Sequence, residues 1–300
     1  MAKKWRDRVT ENTVELFSHA PDPLENTFDH LGDPGLFGPD SVTWLVMSDV
    51  ASFIGGIRAL IVQAAHPEVA AGVSDHSQYE QDPLGRLSRT ASYVTATAYG
   101  SMAEVNQSIR AVRFAHRPVS GISHRGKEYS ADKSDLAAWV HNALIDSFLT
   151  AYRIYGSRSM TQAEADTYVL EQTRLGALLG ADPLPSDANS LSCWLAEHPL
   201  VDTSPAGSEA RKFLARPPLP LFILVAYKIL FYAAAATVPR QLRKAVGVRN
   251  LPGARIGGHI LIRILRFALG YSPAWGAALD RCDQPRPAKE RIRDTSGTTR

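Results

Sequence analysis

The sequence predicts an all-α protein built as a single multi-helix domain, and three observations carry that prediction. Apolar residues recur at three- and four-residue steps, as in Val105, Ile109 and Val112. Helix start and stop signals punctuate the chain: Asp82-Pro83, the capping boxes Ser101-Met-Ala-Glu104 and Thr161-Gln-Ala-Glu164, and Gly100, Gly156 and Gly180 behind helical runs. Sustained alternation, or a hairpin turn between β-branched runs, is found nowhere.

Residues 1–40 are rich in Pro, Gly, Asp and His and read as an irregular N-terminal arm with a short helix over 11–19. The helical domain is expected over 41–284. From Ser41 the residues Val42, Leu45, Val46, Val50 and Phe53 follow a helical period. Gly55-Gly56 interrupts that pattern, which marks close approach of another backbone or a ligand. The pattern resumes from Ile57 to Ala65, and His66 then sits at a helix end, biased out of the α region by Pro67.

Asp82 as N-cap and Pro83 at the first helical position start the next helix, which runs to about Tyr99. Its apolar stripe is Leu87, Ala91, Val94 and Ala98, with Arg86, Thr90, Tyr93 and Thr97 beside it. The Ser101 capping box starts another helix directly. There Val105, Ile109 and Val112 lead to His116, which the spacing places on the core-facing stripe in the last turn, ahead of Pro118. Arg113 lies one turn back. Further helices are expected over 134–155, 161–179, 190–197, from Leu219, over 240–245 and over 255–269. From Pro285 the basic tail (285–300) reads as disordered.

The composition, 45% hydrophobic and 21% charged, suits a globular protein that buries a core. The net charge is +3 and the basic residues cluster at the two ends, so no broad basic face is offered to nucleic acid. Weak contact of either end with an anionic membrane surface stays open. Cys193 and Cys282 stand in no metal-ligand spacing, which argues against a thiolate zinc site and fits reduced thiols in a cytoplasmic protein. The absence of Cys-x-x-Cys-His excludes covalent c-type haem. No apolar segment follows the N-terminal charges, so no secretory signal is read and a cytoplasmic location is expected. Leu219 to Val238 is long enough to span a bilayer, but Lys228 at its centre favours a buried core helix over membrane insertion.

Polar groups on core faces need partners, because burying them alone costs about 1–3 kcal/mol. His116 is either a satisfied core histidine or an axial ligand to a flat apolar cofactor such as haem. Arg86, Arg89 and Thr90 share a helix face at i, i+3, i+4. They are either a solvated face or a set of donors toward a bound oxygen species or an anion. His66 reads as a carbonyl cap and His141 as a core histidine, and either could line a pocket. His66, Asp75, His76 and His116 share no i, i+4 face, which weakens a site built only from His and carboxylate. No Gly-x-Ser-x-Gly elbow, dinucleotide fingerprint or P-loop is present.

Several motifs, namely Gln63-Ala-Ala-His66-Pro67, Arg86-x-x-Arg89-Thr90, Val112-Arg113-x-x-His116 and Trp139-Val140-His141, together resemble the bacterial rubber-oxygenase (latex-clearing protein) and MpaB oxygenase family. The resemblance covers roughly residues 41–180. It implies an all-α fold with globin-like helices around a non-covalent haem b, and an oxygenase using dioxygen. Carried over by position, it implies that His116 is the proximal iron ligand and that Arg86 and Thr90 lie on the distal side. The catalytic candidates are then Arg86, Arg89, Thr90 and His66, and the cofactor-binding candidates are His116, Arg113 and His141. Two departures stand out. The rubber oxygenases carry a lysine where this chain has Arg89, and the family's glutamate base has no assigned position here, Glu68 and Glu80 being only nearby acids. A hydrophobic isoprenoid- or lipid-like substrate smaller than rubber is expected. The alternative is a non-catalytic haem- or lipid-binding protein, associated with membranes.

Overall fold

The computed structural model describes residues 2–77 and 81–286, with side chains from Trp5 onward. In chain order the helices are α1 (Ala2–Phe17), α2 (Val42–Met47), α3 (Ser52–Gln63), α4 (Pro67–His76), α5 (Pro83–Tyr99), α6 (Met102–His116) and α7 (Ser134–Tyr155). There follow α8 (Gln162–Leu178), α9 (Ala188–Ala196), α10 (Pro205–Ala215), α11 (Leu221–Ala235), α12 (Arg240–Val246), α13 (Ala254–Leu269) and α14 (Pro273–Arg281). Among the described residues the strands are a single hairpin: β1 (Ser120–Ile122) pairs antiparallel with β2 (Glu128–Ser130), Gly121 opposite Tyr129. The fold is all-α, as the periodicity predicts. The hairpin is an addition, because strands of three residues are too short to show alternation.

Local signals place the helices around the candidate site accurately. The Asp82 carboxylate accepts from the Gly85 amide at 3.0 Å, with Pro83 at the first helical position. The Ser101 and Thr161 capping boxes are both closed. Elsewhere the sequence reading needs correction. The helix expected over 11–19 is α1, which starts at Ala2 and lies against α5 and α13. The run expected from Ser41 through Phe53 breaks into α2 and α3. At the break, the Asp49 carboxylate accepts from the amides of Ala51 and Ser157 and pairs with Arg266 at 2.7 Å. Two of these three partners, Ser157 and Arg266, are remote in sequence, so helical spacing cannot reveal the break. Helices α4, α10 and α14 were not expected; each is short and opens on a proline. Most of the tail expected to be disordered, residues 287–300, lies outside the described residues.

The centre of the fold is the α3–α7 pair. Gly55 allows it: a Cβ there would lie 2.6 Å from a ring carbon of Phe148 on α7. Deep in this contact, Arg58 Nη1 donates to Asp146 Oδ2 at 2.6 Å and to Ser147 Oγ at 2.8 Å. Helices α8, α9, α11 and α12 close a core around this pair. A second buried arginine, Arg281 on α14, donates to the Asp33 carbonyl and the Thr27 hydroxyl, tying the segment before α2 to the C-terminal end. Leu24 and Leu36 of that segment are buried as well.

Helix α11 covers part of the segment read as a core helix. Its second half is buried, but Leu221, Phe222 and Val225 in its first half are exposed. No helix among the described residues is long and apolar enough to cross a membrane.

Candidate active site

Helices α5 and α6 form an antiparallel pair, turned at Gly100, that packs closely on itself. Neither helix packs closely along α7. Where α5 and α7 do converge, they enclose with α8 a cavity of about 20 Å³, room for roughly one water. Val94, Thr97 and Ala98 line it from α5, Leu144, Ile145 and Phe148 from α7, and Gln172 and Leu175 from α8. Toward the N-terminal ends of α5 and α7 the two helices open together. On α5, exposure rises from buried Ala98 through half-buried Val94 to exposed Thr90 and Leu87. On α7 it rises from buried Phe148 through half-buried Leu144 to exposed Val140. Outward from the cavity, the faces of α5 and α7 that line it thus become exposed together, as an apolar slot open to solvent.

The mouth of this slot gathers the polar residues that the sequence singled out. Arg86 donates to the Ser77 hydroxyl at the end of α4. Thr90 Oγ1 donates to the Arg86 carbonyl at 3.0 Å, a back-bond to its own helix that leaves the hydroxyl oxygen able to accept. His116, in the last turn of α6, feels both Arg86 and Asp132 electrostatically. Its ring nitrogens have no hydrogen-bond partner among the described residues and, the ring being exposed, are open to water or a ligand. Desolvation by the surrounding protein holds the His116 pKa below 6.5; Asp132 opposes that shift and Arg86 reinforces it. At neutral pH the ring is therefore uncharged, with a free lone pair. Arg113 lies on the same helix, exposed, beside Gly180 at the end of α8.

One expectation is corrected here. His116 is not on a buried stripe. Val105 and Ile109 are buried, Val112 is half-buried and His116 is exposed. Helical phase is right along α6, but its last two turns run past the α5–α8 core and stand at the open slot.

The structure does not bring the remaining candidates into this group. Arg89 is exposed and pairs with Asp82 at 3.0 Å across the first turns of α5. So exposed a pair, screened by water, contributes little to stability. His141 is buried against α8, its Nε2 donating to the Gln172 carbonyl at 3.0 Å, and Gly176 makes room for its ring. His66 is the N-cap of α4 but makes no capping hydrogen bond. It is buried instead in a cluster with Trp139 and His198, ring centroids 5.4 and 5.5 Å away, and Trp194 packs on His198 at 4.7 Å. Its Nδ1 lies 3.4 Å from Glu68 Oε2. The Glu68 carboxylate is itself held by Ser123 at 2.9 Å and by Arg125, so its pKa falls below the usual range although burial pushes the other way. Ser77, Asp132, Trp194 and His198 escaped the sequence reading. They come from loops or from distant helices, and no local spacing ties them to α5 or α6.

Burial lowers the His141 pKa to about 4. The unfolded ring titrates near 6.5, so between pH 6.5 and 4 the unfolded chain takes up a proton that the folded chain refuses. Stability is unaffected by this group above pH 6.5 and is lost as the pH falls toward 4. By pH 5 the loss from this ring is about 2 kcal/mol. His141→Gln should shrink the drop in urea stability between pH 7 and pH 5 by that amount; an unchanged drop would remove His141 from the acid sensitivity.

The site thus combines, on an all-α scaffold, an apolar slot with a neutral imidazole and a positive charge at its mouth. Among the described residues no three His, Cys, Asp or Glu side chains converge to hold a metal ion by themselves. Residues 44–267 match the family described as ER-bound oxygenase mpaB/B'/Rubber oxygenase, catalytic domain, and the chain belongs to that family. Its activity class is therefore that of an oxygenase. Neither the curated proteins nor the solved structures contain a match.

Proposed function

We propose that this chain is a haem-b-dependent oxygenase that uses dioxygen to oxidise a small hydrophobic molecule of isoprenoid or lipid type. One observation carries the reading: the unpartnered, neutral His116 imidazole stands at the open end of an apolar slot, beside Arg86. The donor set fits haem. A site with one histidine and, among the described residues, no converging carboxylates would leave the other ligand positions of an iron to a porphyrin. The cavity, at about 20 Å³, is far too small for the group, so the open part of the slot is where it would lie.

When bound, the haem supplies the activation of dioxygen. The chain supplies the rest. His116 would hold the iron through a ring nitrogen, which its lowered pKa keeps unprotonated at neutral pH. Arg86 places a guanidinium, already anchored on Ser77, where negative charge develops. Thr90 holds its hydroxyl one turn further along α5. Arg113, at the rim, suits the carboxylate edge of the porphyrin. Leu87, Val94, Val140 and Leu144 give the slot its apolar walls, exclude water and favour a hydrophobic substrate.

The absorption spectrum of the purified chain, before and after addition of haemin, tests this. A Soret band with a stoichiometric haem content is expected, and its absence even after haemin addition overturns the proposal. A second reading, haem or lipid binding without turnover, is favoured by Glu68. The buried acid of the motif segment is fully engaged by Arg125 and Ser123, which leaves it unavailable as a base. Oxygen uptake with a panel of isoprenoids and fatty acids separates the two readings.

A further inference from the structure

Helices α11 and α13 carry a surface that the oxygenase reading does not use. They lie side by side: Arg255 at the start of α13 donates to the Ala236 carbonyl at the end of α11, and Gly257 lies beside Ile229. Along α13, Ile256, Ile260 and Phe267 share one face, and Leu221 and Phe222 open α11. All five are between 57% and 78% exposed. Large apolar side chains are ordinarily exposed singly, and rows of them on neighbouring helices mark an interaction surface.

The segment that carries these rows has charge of one sign, while the neighbouring α1 adds both signs. Between Glu209 and Asp280 the sequence holds eleven Lys or Arg and no Asp or Glu, in a chain whose totals are 33 and 30. Exposed Lys228 stands in the α11 row and exposed Arg263 in the α13 row. Arg6 of α1 stacks over the Phe267 ring at 5.1 Å. Apolar side chains interleaved with uncompensated cations are what an interfacial helix presents to anionic lipid. A second copy of the chain is a poor occupant, because a two-fold pairing sets this acid-free segment against itself. Since no described helix can cross a bilayer, the contact would lie in the plane of the interface.

We infer that the α11–α13 face docks the protein on an anionic membrane surface, Ile256, Ile260, Phe267, Leu221 and Phe222 entering the headgroup boundary and Lys228 and Arg263 meeting lipid phosphates and carboxylates. The site is centred on α11 and α13, with Arg6 of the N-terminal basic end at its edge, and it does not rest on the haem reading.

Flotation of the full chain with phosphatidylcholine vesicles, with and without phosphatidylserine, tests it. Binding is expected only to the anionic vesicles and should weaken with salt. Ile260→Ser with Phe267→Ser should reduce binding about tenfold or more, the scale of withdrawing a large apolar side chain from lipid. Lys228→Gln with Arg263→Gln removes charge at exposed positions and should weaken binding by a similar factor without touching the apolar rows. Equal binding to both vesicle types, or both double variants binding like the unaltered chain, overturns the inference. So does a dimer in solution that Ile260→Ser with Phe267→Ser splits, in a protein that ignores vesicles.

Discussion

His116→Ala is expected to abolish the Soret band while leaving the fold intact. The proposed site has one nitrogen ligand, and the other candidate histidines among the described residues are engaged elsewhere: His66 is enclosed by Trp139 and His198, His141 is turned to α8, and His76 bonds the Ser120 carbonyl. Losing an outer-shell partner of a metal ligand typically costs 10–100-fold in affinity, so losing the ligand itself should cost at least about 100-fold in haem affinity. Because His116 is exposed and makes no hydrogen bond, the same change should move stability by no more than about 0.5 kcal/mol. Haemin titration and a urea melt on one variant measure both quantities. Full haem content in the variant would take His116 out of the role, and a large loss of stability would make it a structural residue. The lowered His116 pKa adds a pH signature. A ring whose pKa lies below the ordinary imidazole value should retain haem as the pH falls to about 6.5, where a free imidazole is already half protonated.

How far the sequence alone could see is clearest at α5 and α6. Asp82-Pro83, Gly100 and the Ser101 capping box are short-range devices, each satisfied within four residues, and the helices begin and end where these devices say. Helical phase correctly put Val105 and Ile109 on the core face. It could not say how far the neighbouring helices extend beside α6, and that is why His116 turned out to be exposed. The same limit hid the α2–α3 break. Apolar rows on both helices keep one period, while the interruption is made by Asp49 reaching Ser157 and Arg266 from elsewhere in the chain. The grouping of Arg86 and His116 was legible only through the family motifs, since a spacing of thirty residues across a helical hairpin leaves no periodic trace. The open slot was not legible at all, being defined by what α5 and α7 fail to contact.

That slot has one fixed wall, α7, and the second large effect concerns what fixes it. Arg58→Met is expected to destabilise the protein by about 3–5 kcal/mol. Arg58 and Asp146 are 2% and 6% exposed, and their 2.6 Å contact spans the α3–α7 interface at the centre of the core. Methionine nearly matches the arginine stem in volume, so the cost is electrical rather than steric: it strands the Asp146 carboxylate without its counter-ion. The pair itself need not be stabilising, because desolvating two charges offsets most of their attraction. The double variant Arg58→Met with Asp146→Leu should therefore recover most of the lost stability. Urea midpoints for the two single variants (Asp146→Leu being the other) and the double variant complete the cycle. Equal destabilisation in the single Arg58 variant and in the double variant would show that the interface needs the ion pair, and not merely the absence of a lone charge. In that case α7 owes its placement beside the slot to one directional contact, and haem content should fall along with stability in both variants.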